Sequence, residues 1–291
     1  MKKSFVSKKN TASKTYNLPK AKKRFGQNFL IDETVIDAII GSCDVDETDT
    51  VLEIGPGTGA LTKRLAQKAA KVVAVEIDTS LKDKLEKELS EFDNIEILFC
   101  DILKIDLNEL VKTQNNGKPF KVVANLPYYI STPVIMKLLR ADIPPLSCTV
   151  MVQKELGDRM AASSGGKEYG DLSVTVRYYA DPEKIIDVPP NSFIPAPKVD
   201  SVVLKLKPKE KAPVNPGDKE FFFKVVEASF AHRRKTLINS LSSAADIRLK
   251  KERIVSALNE LKEKYPDINE NIRAEKLSIF EFCDLSDILN R

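Results

Sequence analysis

The chain has 291 residues, 42% of them hydrophobic and 30% charged. That is enough apolar material for about two domains with buried cores, and too much for a disordered polymer. Four scattered cysteines without a C-x-x-C pair (Cys43, Cys100, Cys148, Cys283) and a single histidine, His232, exclude a disulfide scaffold, a zinc cluster and most histidine-based hydrolases; no metal is expected.

The N-terminal segment, residues 1–23, reads as a basic arm. Residues 1–31 hold nine of the 46 Lys and Arg residues and no acid, although the net charge is only +4. Such an arm suits a polyanion, because each cation set against a phosphate releases counterions; the composition equally fits a solubilising tail. It lacks the apolar stretch of a secretory signal, and no later run approaches the ~18 residues of a membrane span. A cytoplasmic protein without membrane contact is expected.

From residue 50 the pattern alternates strand and helix. Thr50–Gly55 reads as a strand ending on glycine, followed by a helix through Leu61, Leu65 and Ala69. Lys71–Asp78 predicts the second strand, and Leu81, Leu85 and Leu89, four apart, the stripe of the next helix. Asn94–Asp101 and Lys121–Leu126 predict the third and fourth strands. Thr132-Pro133 predicts a helix cap with proline at the first helical position. Thr149–Gln153 and Leu172–Tyr179 read as two more strands, and Val199–Lys207 as the last. Strands separated by helices give βαβ units and a mostly parallel sheet. Pro208–Asp218, with three prolines and a glycine, reads as a linker. Beyond it Phe222, Val225, Val226 and Phe230, then Leu237, Ile238 and Leu241, then Ile254, Leu258 and Leu261 predict helices. The expected fold is an α/β, Rossmann-like domain over residues 24–208 with a small all-helical domain over residues 209–291.

Gly55-Pro56-Gly57-Thr58-Gly59-Ala60 follows the first strand and opens a helix, the G-x-G-x-x-A form of a nucleotide-binding loop, and Glu76 lies 21 residues past its first glycine. A dinucleotide would place a pyrophosphate on the helix N-terminus. Glu53, Glu76 and Asp101, at successive strand ends, instead favour a cofactor with an ammonium, a ribose diol and an adenine amine: S-adenosylmethionine. Asn125-Leu126-Pro127-Tyr128 closes the fourth strand and suits an exocyclic amine. The Asn125 side-chain oxygen and a backbone carbonyl beside Pro127 each accept one N–H, and Tyr128 offers a ring to stack on. Two acceptors that draw the amine toward tetrahedral geometry act in the transition state, and no strong general base is required.

The blocks RFGQNFL from Arg24, EIGPGTGALT from Glu53, VVAVEID ending at Asp78, CDIL around Asp101 and NLPYYISTPV from Asn125 follow in order. MVQKELGDRM from Met151, KEYGDLSV from Lys167, FIPAPKVDSVV from Phe193 and FAHRRKTLINSL from Phe230 continue the series. Together they resemble the ribosomal small-subunit RNA adenine N6,N6-dimethyltransferases over residues 20–290. The resemblance implies a Rossmann-like S-adenosylmethionine-dependent methyltransferase domain, a C-terminal RNA-recognition domain, and dimethylation of two adjacent adenines in the 3′-terminal helix of 16S rRNA within a small-subunit precursor, by a monomer. It implies that Asn28 and Leu30 border the cofactor, that Gly55 lies at its methionine end, that Glu76 binds the ribose and that Asp101 meets the adenine. Asn125 then lies between the cofactor, which it also borders, and the target amine, beside Pro127, with Tyr128 and Phe193 on the two faces of the flipped base. Arg24, Arg233, Arg234 and Lys235 become candidate phosphate contacts. The competing readings are the macrolide-resistance methyltransferases of large-subunit rRNA, which share the glycine loop and the N-[IL]-P-Y motif, and a non-catalytic assembly or transcription factor on the same fold. A nicotinamide dehydrogenase lacks an evident acid or base for hydride chemistry.

Overall fold

The computed structural model describes residues 18–291, so the predicted arm up to residue 17 lies outside the described residues. From residue 18 the chain runs over one end of a sheet. A single 3-10 turn at Lys23–Phe25 precedes β1 (Phe29–Leu30). Alternating elements then follow: α1 (Glu33–Ser42), β2 (Thr50–Ile54), α2 (Ala60–Ala66), β3 (Lys71–Glu76), α3 (Lys82–Glu88), β4 (Ile95–Phe99), α4 (Leu107–Asn115), β5 (Lys121–Asn125), α5 (Ser131–Leu139) and β6 (Ser147–Gln153). Next come α6 (Lys154–Ala161), α7 (Asp171–Tyr179), β7 (Ala180–Val188), β8 (Phe193–Ile194) and β9 (Ser201–Pro208). The helices α8 (Lys219–Phe230), α9 (Leu237–Ser242), α10 (Lys251–Lys264) and α11 (Ile279–Leu289) close the chain.

The main sheet has seven strands in the order β4-β3-β2-β5-β6-β9-β7. The first five run parallel, and β9 joins antiparallel to both of its neighbours. Alternate residues feed opposite cores. Leu52, Ile54, Val73, Val75, Val122 and Ala124 pack on the side of α4 and α5, while Val51, Val72 and Val123 pack on the side of α1 and α2. A sheet covered on both faces explains why its strands read as continuous apolar runs. A separate pair, β1 against β8, sets Phe29 opposite Ile194 and Leu30 opposite Phe193.

The structure corrects two predicted elements. Leu172–Tyr179 is not a strand but helix α7. Its period-two pattern is two helical stripes superimposed. Leu172, Val176 and Ala180, four apart, enter the sheet core, while Val174 and Tyr178, also four apart, enter the core of the C-terminal helices. A helix buried on two sides shows apolar residues at every second position and mimics a strand. The helix after β5 begins at Ser131 rather than at Pro133, with the Ser131 hydroxyl donating to the Pro127 carbonyl at 3.0 Å. Proline in the first turn lacks an N–H that would have had no partner in the helix.

The C-terminal helices surround a core of Phe222, Leu237, Leu258, Leu261 and Phe282, all essentially inaccessible. Residues 209–217 contain no helix or strand, and are held by Lys209 N donating to Tyr179 O and Gly217 N to Asp287 Oδ1, at 2.8 and 2.9 Å. Asp218 caps α8 by accepting from Phe221 N. Among the described residues no helix is long and apolar enough to cross a membrane.

Candidate active site

The connections from β2 and β5 leave toward opposite edges of the sheet, so a crevice opens beyond their carboxyl ends, the usual ligand position in such sheets. The loop from β2 to α2 turns through Gly55 and Gly57 at φ +72° and +59°, a region glycine enters without a steric penalty. A side chain at Gly57 would also meet the Phe29 ring at 3.4 Å. The crevice is a cavity open to solvent on one side, the concave form that small-ligand sites take. Asn28, Leu30, Gly55, Glu76, Asp101, Asn125, Pro127, Tyr128 and Phe193 all line it. Residues scattered over 165 positions of sequence therefore meet at one place.

Three carboxyl groups stand along the wall. Glu53, the penultimate residue of β2, is 1% exposed, and its Oε2 has no hydrogen-bond partner among the described residues. Burial pushes this carboxyl up to about 8. The Thr62 hydroxyl beside it opposes the rise and the Glu76 carboxylate adds to it, yet neither Glu53 Oε2 nor Thr62 Oγ1 reaches hydrogen-bond geometry. Glu76, at the end of β3, is also raised by burial, against two backbone donors: Gly57 N to Oε2 at 3.2 Å and Asp78 N to Oε1 at 2.8 Å. A carboxylate has about four lone-pair sites, so Glu76 retains acceptors for a diol. Asp101 uses Oδ1 to accept from Leu103 N at 2.9 Å. An orphaned buried acid and two further acids at the ends of neighbouring strands suit a ligand bearing an ammonium, a diol and an exocyclic amine.

The opposite wall is the 125–128 segment. Asn125 Nδ2 donates to the Asn28 carbonyl at 3.2 Å. A carbonyl only accepts, so this bond fixes which end of the amide faces Asn28 and leaves Oδ1 as the free acceptor. The Pro127 carbonyl is occupied by Ile130 N and the Ser131 hydroxyl, at 3.1 and 3.0 Å. The Leu126 carbonyl is thus the one beside Pro127 left to serve. The Tyr128 hydroxyl shares a hydrogen bond with Ser201 Oγ at 2.8 Å, which pins the ring at the cavity edge. Phe193 is buried and enters the same space from β8.

Arg24, Arg233, Arg234 and Lys235 do not line the cavity. Arg24 is exposed, its guanidinium 4.6 Å from the centroid of the Phe25 ring, and Phe25 itself is at the rim. Arg233, Arg234 and Lys235 lie on the exposed turn between α8 and α9, and Arg233 donates to the Lys167 carbonyl. Sequence reasoning missed Gln27 and Asp78, which hold the entering chain to the end of β3, although both lie inside quoted blocks. It also missed Ser201, which lies in a quoted block too but whose partner is 73 residues away.

The family model for ribosomal RNA adenine dimethylase matches residues 18–291. A protein of Lachnoclostridium phytofermentans described as ribosomal RNA small subunit methyltransferase A is 49% identical over 269 residues, 92% of this chain and 91% of that one. The crystal structure of a dimethyladenosine transferase from Plasmodium falciparum has a TM-score of 0.72 at 27% identity, covering 88% of this chain and 95% of that one. The 23S rRNA methyltransferase ErmE shares the fold, with a TM-score of 0.68 at 24% identity over 91% of this chain and all of that one.

Proposed function

The chain belongs to the ribosomal RNA adenine dimethylase family, and on that premise we propose that it dimethylates N6 of two adjacent adenines in the 3′-terminal helix of 16S rRNA. The enzyme is an S-adenosylmethionine-dependent rRNA adenine dimethyltransferase. The small subunit as target is supported by relatives at 43–49% identity described as ribosomal RNA small subunit methyltransferase A. The likeness to the large-subunit enzyme is one of fold, at 24% identity. A small-subunit precursor as the particle, a monomeric cytoplasmic enzyme, and residues 209–291 as an RNA-recognition domain complete the reading.

S-adenosylmethionine, bound along Glu53, Glu76 and Asp101, supplies an electrophilic methyl group on its sulfonium. Everything else is alignment. Glu76 takes the ribose hydroxyls and Asp101 the adenine amine. Asn125 Oδ1 and the Leu126 carbonyl accept hydrogen bonds from the two N6–H groups of the target, which draws its lone pair out of conjugation with the ring, and the methylated amine gives up its extra proton to water. Tyr128 and Phe193 hold the extruded base between their rings. Acceptors placed for the tetrahedral amine stabilise the transition state more than the ground state. The observation that carries this reading is the Asn125 amide, turned by the Asn28 carbonyl so that its oxygen is the free end. The same site serves both methylations, because a monomethylated amine still has one proton to donate. The test is mass spectrometry of small and large subunits treated with the protein and labelled S-adenosylmethionine. Label in two dimethyladenosines near the 3′ end of 16S rRNA is expected; label in 23S rRNA alone would overturn the choice of substrate.

A further inference from the structure

One carboxylate of the region makes more contacts than any proposed ligand role requires. Asp78, just past β3, is 3% exposed. Its Oδ1 accepts from Lys22 Nζ at 2.6 Å, Ser80 N at 3.1 Å and Ser80 Oγ at 2.8 Å. Its Oδ2 accepts from Gln27 Nε2 at 2.9 Å, and Lys22 N donates back to Gln27 Oε1 at 2.8 Å. Burial would raise this carboxyl, but the Lys22 ammonium, the Ser80 hydroxyl and the Gln27 amide together bring it down to about 2. The group is an anion throughout the working pH range. Residues 22–27 are thereby tied at one end to the sheet. At the other end β1 is tied to β8. Asn28 lies between the two anchors, and its carbonyl is the acceptor that orients Asn125.

We propose that Asp78 is a positioning residue: through Gln27 it holds the 22–28 strap across the cavity, and the strap sets the Asn28 carbonyl that turns Asn125 toward the target amine. This rests on the role given to Asn125 above. It predicts that a contact on the cofactor side of the site governs the methyl-transfer rate, through a residue that touches neither target base nor methyl group.

The polarity of the Gln27–Asp78 bond supplies the test. Asp78→Asn keeps the oxygen that caps Ser80 but turns an NH₂ toward the Gln27 NH₂. Gln27→Glu keeps the acceptor for Lys22 N but sets carboxylate against carboxylate. The double variant restores a donor–acceptor pair with its direction reversed, so the three variants and the wild type form a cycle that isolates this one bond. Steady-state methylation, S-adenosylmethionine affinity by calorimetry, hydrogen–deuterium exchange of amides 22–30 and thermal melting would be measured on the full chain. Each single variant should lower kcat by about tenfold or more, as expected for a hydrogen bond to a charged group. Each should also weaken cofactor binding, speed exchange of the strap, and leave KM for RNA within about twofold. The double variant should return to within about threefold of wild type in kcat and to slow exchange. A double variant no faster than the product of the single losses would overturn the proposal. So would single variants with unchanged kcat and cofactor affinity, or losses that follow the melting temperature alone. Should Asp78→Asn not fold, Gln27→Ala, which spares the Ser80 cap, gives the same kcat and exchange readouts. A wild-type protein that binds cofactor yet leaves rRNA unmethylated would sink the functional reading instead, while the exchange result would still stand or fall by itself.

Discussion

At the scale of single residues, the buried acid Glu53 makes stability depend on pH. Its carboxyl is raised by burial from 4.5 to about 8, so the unfolded chain ionises it more readily than the folded one. The neutral form carries no penalty below pH 4.5, and the folded state loses stability as pH rises toward 8. Glu53→Gln removes that dependence. In thermal melts of the cofactor-free protein, the melting temperature of wild type should fall relative to Glu53→Gln between pH 5 and 8 and run parallel above. Parallel curves throughout would mean that Glu53 ionises normally. Tyr128 presents a different balance, between ring and hydroxyl. Tyr128→Ala removes both, with about 1–3 kcal/mol of base stacking lost. Tyr128→Phe and Ser201→Ala remove only the hydrogen bond between them, worth about 0.5–1.5 kcal/mol. Target-adenine binding in single-turnover assays should rank wild type above Phe and Ser201→Ala, and both well above Tyr128→Ala. If Tyr128→Phe were as poor as Tyr128→Ala, the hydroxyl rather than the stacked ring would carry the function.

At the scale of elements, helix α6 shows packing overruling local preference. Gly157 lies inside it, and propensity alone says that alanine would stabilise the helix by about 1 kcal/mol. A Cβ there would stand 2.2 Å from Val202 Cγ1 on β9, an impossible approach. Overpacking of this kind costs typically ~1–3 kcal/mol, so Gly157→Ala should be net destabilising in urea denaturation. Because Val202 follows Ser201, the shift should also loosen the Tyr128 anchor and slow methyl transfer. A stabilised variant with full activity would show that α6 can move away freely. The same elements mark where the sequence was legible. β2, β3, β5 and β6 were readable because buried parallel strands are largely apolar runs set off by helices, and the half-exposed edge strand β4 because its apolar residues still sit between two helical segments. α7 was not, because two buried faces superimpose into an alternation. β7 escaped because it is an edge strand carrying Pro182 and a bulge near Ile186, features that read as loop and are tolerated only where one side of the strand is unpaired. β1 and β8 are two residues each, too short for periodicity, yet their pairing sets Leu30 against Phe193 at the site.

At the scale of the whole molecule, the wall of the cavity was legible because its residues end strands or follow glycine in runs that are local in sequence. The contacts that orient them were not, since Asn28–Asn125, Gln27–Asp78 and Tyr128–Ser201 span 97, 51 and 73 residues. The RNA face is the least local property of all, a matter of charge distribution and not of bonds. The cavity wall itself is acidic, so a polyanion must be held by cations elsewhere. Among the described residues Arg24, Arg234 and Lys235 are exposed and enter no ion pair, in contrast to Lys22, which is committed to Asp78. Residues 1–17 add five lysines and no acid. Phosphate contacts of this kind carry no base specificity, but each contributes roughly 0.9 to the slope of log affinity against log salt on a duplex. The paired substitution Arg234→Ala/Lys235→Ala should therefore lower the slope for small-subunit rRNA by about 1–2, without changing S-adenosylmethionine affinity. Removal of residues 1–17 should lower it further and additively; truncation past residue 21 should also disturb cofactor binding, because it releases Lys22 from Asp78. An unchanged slope in the paired variant would take the 231–235 turn out of the RNA interface. An unchanged slope after truncation would make the arm a solubilising tail, and the cations that hold the rRNA must then be sought on the folded chain alone.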